Sequence, residues 1–254
     1  MTNRRFEGQV VLVTGAAAGI GRGVAERLAS EGATLALGDI QGDALTELAK
    51  QLSADHGIRA VPIRYDAGNA DSCRSLVDQT IAAFGKLDAL LNIAGILAWG
   101  HFTDTDDATW DRLMRINLDG VFHVTRQAMP HLIATKGVII NTSSTSGLTG
   151  HAYYVAYGTT KGALISFSKA LAVEYVKQGV RVNVICPGAI ESDITKDLPH
   201  PENIDNDLWH RIFPKAGVSG TPADMAAAYA YLASEEARYV TGAVLSVDGG
   251  MTAG

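Results

Sequence analysis

The chain has few of the residues that mark several large classes of protein. Only two cysteines, Cys73 and Cys186, occur in 254 residues. They lie far apart and show no metal-ligand spacing, so we expect a reduced protein with two ordinary thiols and no metal site. The seven histidines form no HExxH pair. The net charge is −6, with lysine and arginine scattered, which argues against a nucleic-acid partner.

Long apolar runs are also absent. No segment approaches the ~20 residues that span a bilayer, and residues 1–8 have no apolar core of a signal peptide. Hydrophobic residues make up 47% of the chain, enough for a sizeable core. No linker rich in proline, glycine or serine divides the chain. The composition therefore predicts one cytoplasmic domain over residues 1–254, with no membrane partner.

What the chain does contain is a regular alternation of short β-branched runs and longer helical patterns. Most runs are continuously apolar, which is typical of strands buried on both faces of a parallel sheet. We predict strands at Val10–Val13, Thr34–Leu37, Ala60–Arg64, Ala89–Leu91, Val138–Asn141, Arg181–Ile185 and Val244–Val247. We predict helices at roughly Ile20–Ser30, Asp43–Ala54, Asp71–Phe84, Thr109–Ala134, Val155–Lys177 and Pro222–Ala233. This order predicts an α/β fold: a Rossmann-like, doubly wound, mostly parallel seven-stranded sheet with helices on both faces.

One segment, about 189–220, departs from the alternation. It carries prolines, mixed charges and apolar residues such as Trp209 and Phe213. A long insertion at the carboxyl end of a strand is usually a lid or binding loop, although a plain surface excursion has the same composition. We predict a substrate-binding insertion here.

A glycine-rich turn, TGAAAGIG at 14–21, follows the first strand and opens the first helix. Gly15 permits a tight turn, while Gly19 and Gly21 let the backbone approach a pyrophosphate at the helix N-terminus. Asp39 ends the second strand, where a carboxylate can accept hydrogen bonds from both ribose hydroxyls of NAD and repel the extra phosphate of NADP. The alternative for Asp39 is a strand-end turn residue, and no cation stands beside it at Ile40. The pattern favours NAD.

Tyr157 and Lys161 form the only Tyr-x-x-x-Lys pair, and four-residue spacing puts both on one face of a predicted helix. A free tyrosine has a pKa near ~10 and is a poor base at neutral pH, but a nearby lysine cation would lower that pKa. The preceding strand runs into a serine-rich stretch at 142–146, whose hydroxyls could hold a substrate oxygen. The alternative is a surface lysine beside an aromatic ring.

Over nearly its whole length the chain resembles the short-chain dehydrogenase/reductase family. The motifs that carry the resemblance are TGxxxGxG at 14–21, NIAG at 92–95 where the family has NNAG, Asn117, Ser144 thirteen residues before Tyr157, YxxxK at 157–161, Pro187-Gly188 with Ser192 in place of the usual threonine, and the tail from Tyr239 to Gly250. The resemblance implies a dehydrogenase that interconverts a secondary alcohol and its ketone, and Asp39 favours NAD as its cofactor. It also implies a homotetramer, and the long apolar helices suggest subunit contacts.

The resemblance also implies a role for each matched residue. Tyr157 would be the general acid/base, Lys161 would lower its pKa and bind the nicotinamide ribose, Ser144 would orient the substrate oxygen, and Asn117 would anchor a water in a proton relay. Asp66 would contact adenine, Asn92, Ala94 and Gly95 would line the adenosine ribose, and Ile190 and Ser192 would hold the carboxamide. The full set expected at the cofactor is Gly15, Gly19, Ile20, Gly21, Asp39, Ile40, Asp66, Ala67, Asn92, Ala94, Gly95, Tyr157, Lys161, Pro187, Ile190 and Ser192.

The substrate is less constrained by the sequence. Candidate wall residues are Trp99, Ser146, His151 and Tyr154, a mixture of aromatic and hydrogen-bonding groups that suits a polyol or a cyclic alcohol. Two other functions fit parts of the pattern: an NADP-dependent 3-oxoacyl carrier-type ketoreductase, and a catalytically silent regulator that senses dinucleotides. Asp39 speaks against the first, and the presence of serine, tyrosine and lysine together speaks against the second.

Overall fold

Seven parallel strands form a single sheet in the order β3-β2-β1-β4-β5-β6-β7. The computed structural model describes residues 4–192, 194 and 201–253. The strands are β1 (Val10–Thr14), β2 (Thr34–Asp39), β3 (Ala60–Arg64), β4 (Ala89–Asn92), β5 (Val138–Thr142), β6 (Arg181–Pro187) and β7 (Val244–Val247). The doubly wound sheet is confirmed, and its strand order reverses between β1 and β4. The carboxyl ends of those two strands are where such sheets bind ligands.

Helices cover both faces of the sheet. They are α1 (Gly19–Ser30), α2 (Gly42–His56), α3 (Ala70–Phe84), α4 (Asp107–Met114), α5 (Gly120–Thr135), α6 (Val155–Tyr175), α7 (Asn206–His210) and α8 (Pro222–Ala233). Side chains of α1, α2 and α8 share one core layer, and those of α3, α5 and α6 share the other. Strand β1 shows why its sequence is continuously apolar: Val11 and Val13 enter the first layer, whereas Val10 and Leu12 enter the second.

Local signals fix where several helices begin. Asn69 caps α3 by accepting a hydrogen bond from the Ser72 amide at 2.9 Å. Thr221 and Asp224 form a reciprocal capping box at the start of α8. Helix α1 differs, because the residue before it is Ala18, which has no side-chain acceptor. Its first amide groups therefore have no side-chain cap and lie beside the glycine-rich turn.

One predicted helix differs from the structure. The helix expected over Thr109–Ala134 is divided: α4 and α5 are separated by a π-helical turn at Arg115–Asp119. The apolar periodicity shows no sign of this turn, because a single wide turn does not interrupt the pattern. The insertion at about 189–220 begins and ends on a parallel bridge between Ile190 and Gly220 and contains α7. Residues 193 and 195–200 of that insertion lie outside the described part of the chain.

Candidate active site

The glycine-rich turn joins β1 to α1 and lies against the loop after β4. Gly15 adopts a φ of +68°, and a Cβ built there would stand 2.8 Å from the Ala94 Cα. A Cβ on Gly21 would stand 2.0 Å from the Gly15 carbonyl oxygen. Neither position therefore accepts a larger residue. The turn brings bare backbone and the start of α1 to one surface, which fits a pyrophosphate.

Asp39 lies at the end of β2, buried beside this turn. Its Oδ2 accepts a hydrogen bond from the Ala17 amide and its Oδ1 accepts one from the Gln41 amide, each at 3.0 Å. Each carboxylate oxygen has a second lone pair, so both retain capacity for further donors. The neighbouring Ile40 is 54% exposed and brings no charge. The residues present fit a dinucleotide whose ribose hydroxyls both donate to a carboxylate.

The loop after β4 is attached to β1 through Thr14, whose hydroxyl accepts hydrogen bonds from the amides of Ile93 (2.9 Å) and Ala94 (3.1 Å). The side-chain nitrogen of Asn92 donates to Asn141 Oδ1 at 2.8 Å and to Thr125 at 3.1 Å, within a buried polar network. Two neighbouring elements therefore already satisfy that nitrogen. That Asn92 lines the adenosine ribose stays a prediction.

The remaining cofactor candidates surround the same edge of the sheet. Asp66 is exposed after β3, and its carboxylate accepts from the Gly68 amide at 2.8 Å. Ala67 and Ala94 line a small cavity with Thr14. Ser192 lies over the turn, since its Cβ is 3.4 Å from a Cβ built on Gly19. Pro187 ends β6 beside β7, and Ile190 packs against the core.

Ser144 lies beside Tyr157. It follows β5 in an extended conformation, and its side chain is close enough to influence the Tyr157 phenol. Removal from water raises the pKa of Tyr157 to about 12, and the Ser144 side chain acts in the opposite direction. Ser143 instead donates to the Lys161 carbonyl at 2.7 Å. The two serines thus differ: Ser143 supports the loop, whereas Ser144 lies beside Tyr157, and its role at the substrate oxygen stays a prediction.

Lys161 is buried below Tyr157. Its Nζ donates to the Thr142 carbonyl at 2.9 Å and lies 5.6 Å from the centre of the Tyr157 ring. Burial lowers the pKa of Lys161 to about 8, and the Cys186 thiol opposes that shift. Burial is the largest influence on the Tyr157 pKa, and the influence that opposes it comes from Ser144 rather than from Lys161. That Lys161 lowers the Tyr157 pKa stays a prediction.

Asn117 occupies the π-helical turn and is fully buried. Its Oδ1 accepts from the Ile96 amide at 2.8 Å and its Nδ2 donates to the Ile96 carbonyl at 2.9 Å. A Cβ built on Gly95 would lie 3.2 Å from Asn117 Oδ1 and 3.4 Å from Lys161 Nζ, so Gly95 brings both groups to one point. The wide turn directs this amide toward the loop after β4.

This chain is similar to known proteins over nearly its whole length. The family model described as "Enoyl-(Acyl carrier protein) reductase" matches residues 15–252. The chain belongs to the short-chain dehydrogenase/reductase family. Among relatives in this family, meso-2,3-butanediol dehydrogenase of Serratia marcescens is 34% identical over 249 residues, covering 98% of this chain and 96% of its own. The chain is thus similar over its length to family oxidoreductases.

Solved structures of short-chain dehydrogenases/reductases show the same fold. A 3-ketoacyl-(acyl-carrier-protein) reductase from Brucella melitensis, complexed with NADH, has a TM-score of 0.87 at 30% identity and covers 97% of this chain and 99% of its own. A short chain dehydrogenase from Burkholderia cenocepacia, in complex with NADP, has a TM-score of 0.88 at 30% identity, with 98% and 99% covered. The family therefore uses a nicotinamide dinucleotide, and both forms occur among its members.

An aromatic wall stands beside Tyr157. The centre of the Tyr154 ring lies 6.2 Å from that of Tyr157. It lies 5.7 Å from the Trp99 ring, which it meets edge-on, and 6.2 Å from the Trp209 ring of α7, on which it stacks. Trp99 and Trp209 also meet each other at 5.2 Å. The structure brings Trp99 and Tyr154 together as candidates for one wall, with Trp209 from the insertion completing it.

Two contributors to the site were missed from the sequence. Thr142 supplies the carbonyl that accepts from Lys161, and its hydroxyl lies 2.6 Å from the Tyr229 hydroxyl on α8. Tyr229 is the largest fully buried side chain described and stands in an alanine-rich helix, which was the available signal.

No helix in the described residues could cross a membrane. The same residues hold no group of three potential metal ligands.

Proposed function

We propose that the protein is an NAD-dependent oxidoreductase that interconverts a secondary alcohol, such as a polyol or a cyclic alcohol, and its ketone. The observation that carries this proposal is the meeting of Ser144, Tyr157, Lys161 and Asn117 at one edge of the sheet, beside the glycine-rich turn. In oxidation the alcohol carbon loses a hydride and the alcohol oxygen loses a proton. A bound nicotinamide supplies the hydride acceptor.

The proton is the part of the reaction that the chain's own residues manage. Ser144 would donate to or accept from the substrate oxygen, and Tyr157 would take the proton as a phenolate and return it in the reverse direction. With a pKa near 12 the phenolate is scarce, so extra positive charge is needed beside it. Lys161 and the positive ring of oxidised NAD would supply that charge together.

Lys161 and Asn117 would act behind Tyr157. A lysine with a pKa near 8 is still largely protonated at neutral pH, and little free energy is needed to move its proton. Asn117 would hold the end of a proton relay, with its Ile96 bonds fixing the orientation of the amide. A regulator that only senses dinucleotide would not need this tyrosine, lysine and serine in contact.

Asp39 supports NAD over NADP. The carboxylate is held at the turn by two backbone amides, and Ala18 and Ile40 supply no cation for a phosphate. The remaining cofactor contacts would come from Gly15, Gly19, Ile20 and Gly21 at the pyrophosphate. Asp66 and Ala67 would lie at the adenine, Ala94, Gly95 and the Asn92 backbone at the ribose, and Pro187, Ile190 and Ser192 at the carboxamide. The alternative is an NADP-dependent carrier ketoreductase. The carboxylate of Asp39 speaks against it, because that negative charge would repel the extra phosphate of NADP.

A direct assay tests this proposal. The protein is offered secondary polyols, cyclic diols and hydroxysteroids with NAD or with NADP, and nicotinamide reduction is followed by absorbance. We expect turnover with NAD and a much lower kcat/KM with NADP. A clear preference for NADP would contradict the role of Asp39, and absence of turnover across the panel would contradict the substrate class. A single domain, a homotetramer and a cytoplasmic location remain predictions.

A further inference from the structure

A second hydrogen-bonding pair lies next to the proposed catalytic serine. The Ser146 amide donates to Ser144 Oγ at 3.2 Å, and the Ser146 hydroxyl lies 2.9 Å from His151 Nδ1. Both side chains are partly buried. The proton-transfer chemistry described above uses neither of them. A hydroxyl and an imidazole are thus held together two residues along the chain from the hydroxyl that would bind the reacting oxygen.

The chemistry of this pair suits an uncharged oxygen. Burial lowers the pKa of His151, which favours the neutral ring at neutral pH. A neutral imidazole has one donor and one acceptor nitrogen. Whichever of Ser146 and His151 donates in their mutual bond, the pair retains one further donor and one further acceptor. That combination matches an alcohol hydroxyl, which both donates and accepts, and it also matches a ketone oxygen.

The surroundings restrict what carries that oxygen. His151 faces the Tyr154 ring at 6.1 Å, and Tyr154 in turn faces Tyr157. Tyr153, at a φ of +68°, holds this loop. Its backbone carbonyl accepts a hydrogen bond from the Gly100 amide at 2.9 Å, and its side-chain hydroxyl accepts one from the Asp205 amide at 2.7 Å. The pair is therefore fixed against an aromatic wall rather than on a free loop.

We propose that Ser146 and His151 recognise a second oxygen on the carbon adjacent to the reacting one, so that the substrate is a vicinal diol and the product its α-hydroxyketone. Oxygens on neighbouring carbons are about one hydrogen-bond length apart, ~3 Å. The Ser146 amide donates to Ser144 Oγ at 3.2 Å, so the loop places Ser146 directly beside the residue that would hold the reacting oxygen. The inference rests on the proposed function, because Ser144 must hold the reacting oxygen. The Serratia marcescens relative is named for such a diol.

The surroundings of His151 carry little permanent charge, which is consistent with a neutral substrate. His151 also lines a cavity of about 420 Å³, and among the described residues lining it Arg211 is the one with a permanent charge. Arg211 directly follows α7 and is exposed. The Ser146–His151 pair and the aromatic rings beside it therefore offer hydroxyl, imidazole and aromatic groups without a permanent charge, which suit a neutral polar ring or short polyol.

Matched substrates test the proposal. We compare meso-2,3-butanediol with 2-butanol, and trans-1,2-cyclohexanediol with cyclohexanol, using NAD and the full-length protein. The wild-type enzyme should prefer each diol by at least about tenfold in kcat/KM, the discrimination expected from one hydrogen bond of good geometry. Ser146→Ala should remove that preference mainly through KM, and 2-butanol should change less than about twofold.

Further variants separate recognition from support of the loop. His151→Ala should reproduce the loss, whereas His151→Asn keeps a polar group near Nδ1 and should restore part of the diol preference. Thr159→Val removes an exposed hydroxyl from α6 and should leave kcat/KM unchanged for both the diols and the mono-alcohols. Equal losses for diol and mono-alcohol, or an unchanged diol preference in Ser146→Ala, would overturn the inference while leaving the proposed function standing. Absence of turnover with every alcohol would overturn both.

Discussion

At the residue scale, the choice of dinucleotide in our proposal depends on one carboxylate. Asp39 is held by the amides of Ala17 and Gln41, so its charge is fixed in place before any ligand binds. A fixed charge repels a phosphate more strongly than a mobile one, because it cannot rotate away from it. Family relatives solved with NADH and with NADP show that the fold alone does not decide this question.

Replacing Asp39 by asparagine tests that charge with little change of shape. The Asp39→Asn side chain keeps one oxygen acceptor but loses the negative charge. We expect the ratio of kcat/KM for NAD to that for NADP to fall at least about tenfold, since hydrogen bonds to charged groups contribute roughly 1.5–3 kcal/mol. Asp43→Asn, at an exposed position in the first turn of α2, is the control. An unchanged ratio in Asp39→Asn would contradict the assignment.

Lys161 illustrates a conflict between stability and chemistry. Its pKa falls from 10.5 to about 8 in the folded protein, so folding at neutral pH includes the cost of burying a charge. Between about pH 8 and 10.5 the unfolded chain binds more protons than the folded one. This contribution therefore makes the protein more stable as pH rises through that window. Below pH 8 the whole cost is present.

The variant Lys161→Met removes that cost. We expect it to be inactive, yet more stable than wild type by about 1–2 kcal/mol at pH 7, after allowing for the Thr142 carbonyl that loses its donor. The advantage should shrink as pH rises from about 8 to 10.5, where the wild-type lysine becomes neutral in both states. Urea unfolding across this pH range measures it. A variant that is less stable than wild type at pH 7 would show that Lys161 stabilises the fold.

At the scale of elements, the turn between β1 and α1 has almost no freedom of sequence. Gly15 and Gly21 approach each other so closely that a side chain on Gly21 would overlap the Gly15 carbonyl. Relief would require α1 to move relative to β1, and α1 is in extensive contact with α8. The geometry that presents backbone amides to a pyrophosphate is thus the same geometry that packs the helix on the sheet.

Two glycine substitutions separate these effects. Gly21→Ala should destabilise the protein by about 3 kcal/mol or more, through overpacking and backbone displacement, and should abolish NADH binding. Gly162→Ala, within α6, meets its nearest neighbour at an ordinary 3.7 Å and should instead stabilise by about 0.5–1 kcal/mol. Thermal unfolding and NADH fluorescence measure both. A Gly21→Ala protein that binds NADH normally would contradict the close approach.

The strands and most helices could be predicted from the sequence because their signal is local. The apolar run Val10–Val13 is continuous because both faces of β1 are covered, and that shows in the composition of the run itself. The π-helical turn around Asn117 could not be predicted, since it depends on a bond to Ile96 on another loop. The direction of the Asn92 side chain likewise depends on Asn141 and Thr125 from other elements.

The candidate site was predictable in membership but not in energetics. The spacing of Tyr157 and Lys161, together with the family resemblance that selects Ser144, predicted the group, and the structure places its members near one another. The pKa of Tyr157 could not be judged from spacing, because the result depends on how much water burial removes. Thr142 acts through its backbone carbonyl, which any residue type possesses, so no sequence pattern could have indicated it.

At the scale of the whole molecule, apolar side chains remain exposed on the outer surface of α5 and α6. Phe122 on α5 is 39% exposed, and Val155 and Val173 on α6 are 46% and 78% exposed. Alanine-rich helices with apolar residues on the solvent side are typical of subunit interfaces. This surface supports our prediction that the protein assembles through these two helices.

A charge on that surface tests the assembly. Val173→Glu should reduce the mass in solution measured by light scattering, because a buried unpaired carboxylate would oppose association. Val218→Glu alters a valine that is 70% exposed in the segment before α8 and should leave the mass unchanged. At an exposed position of a monomer either change would be nearly neutral. Equal masses for wild type and Val173→Glu would place the interface elsewhere.

The most direct test of the catalytic proposal is the Tyr157→Phe variant, assayed for oxidation of a secondary alcohol that the wild type turns over with NAD. The change removes one oxygen and retains the ring against Tyr154. We predict that kcat falls by ~10²–10⁴-fold, the usual contribution of a positioned acid/base, while NADH binding measured by fluorescence changes less than about threefold. Turnover that persists at the wild-type rate would contradict the assignment of Tyr157 as the group that moves the proton.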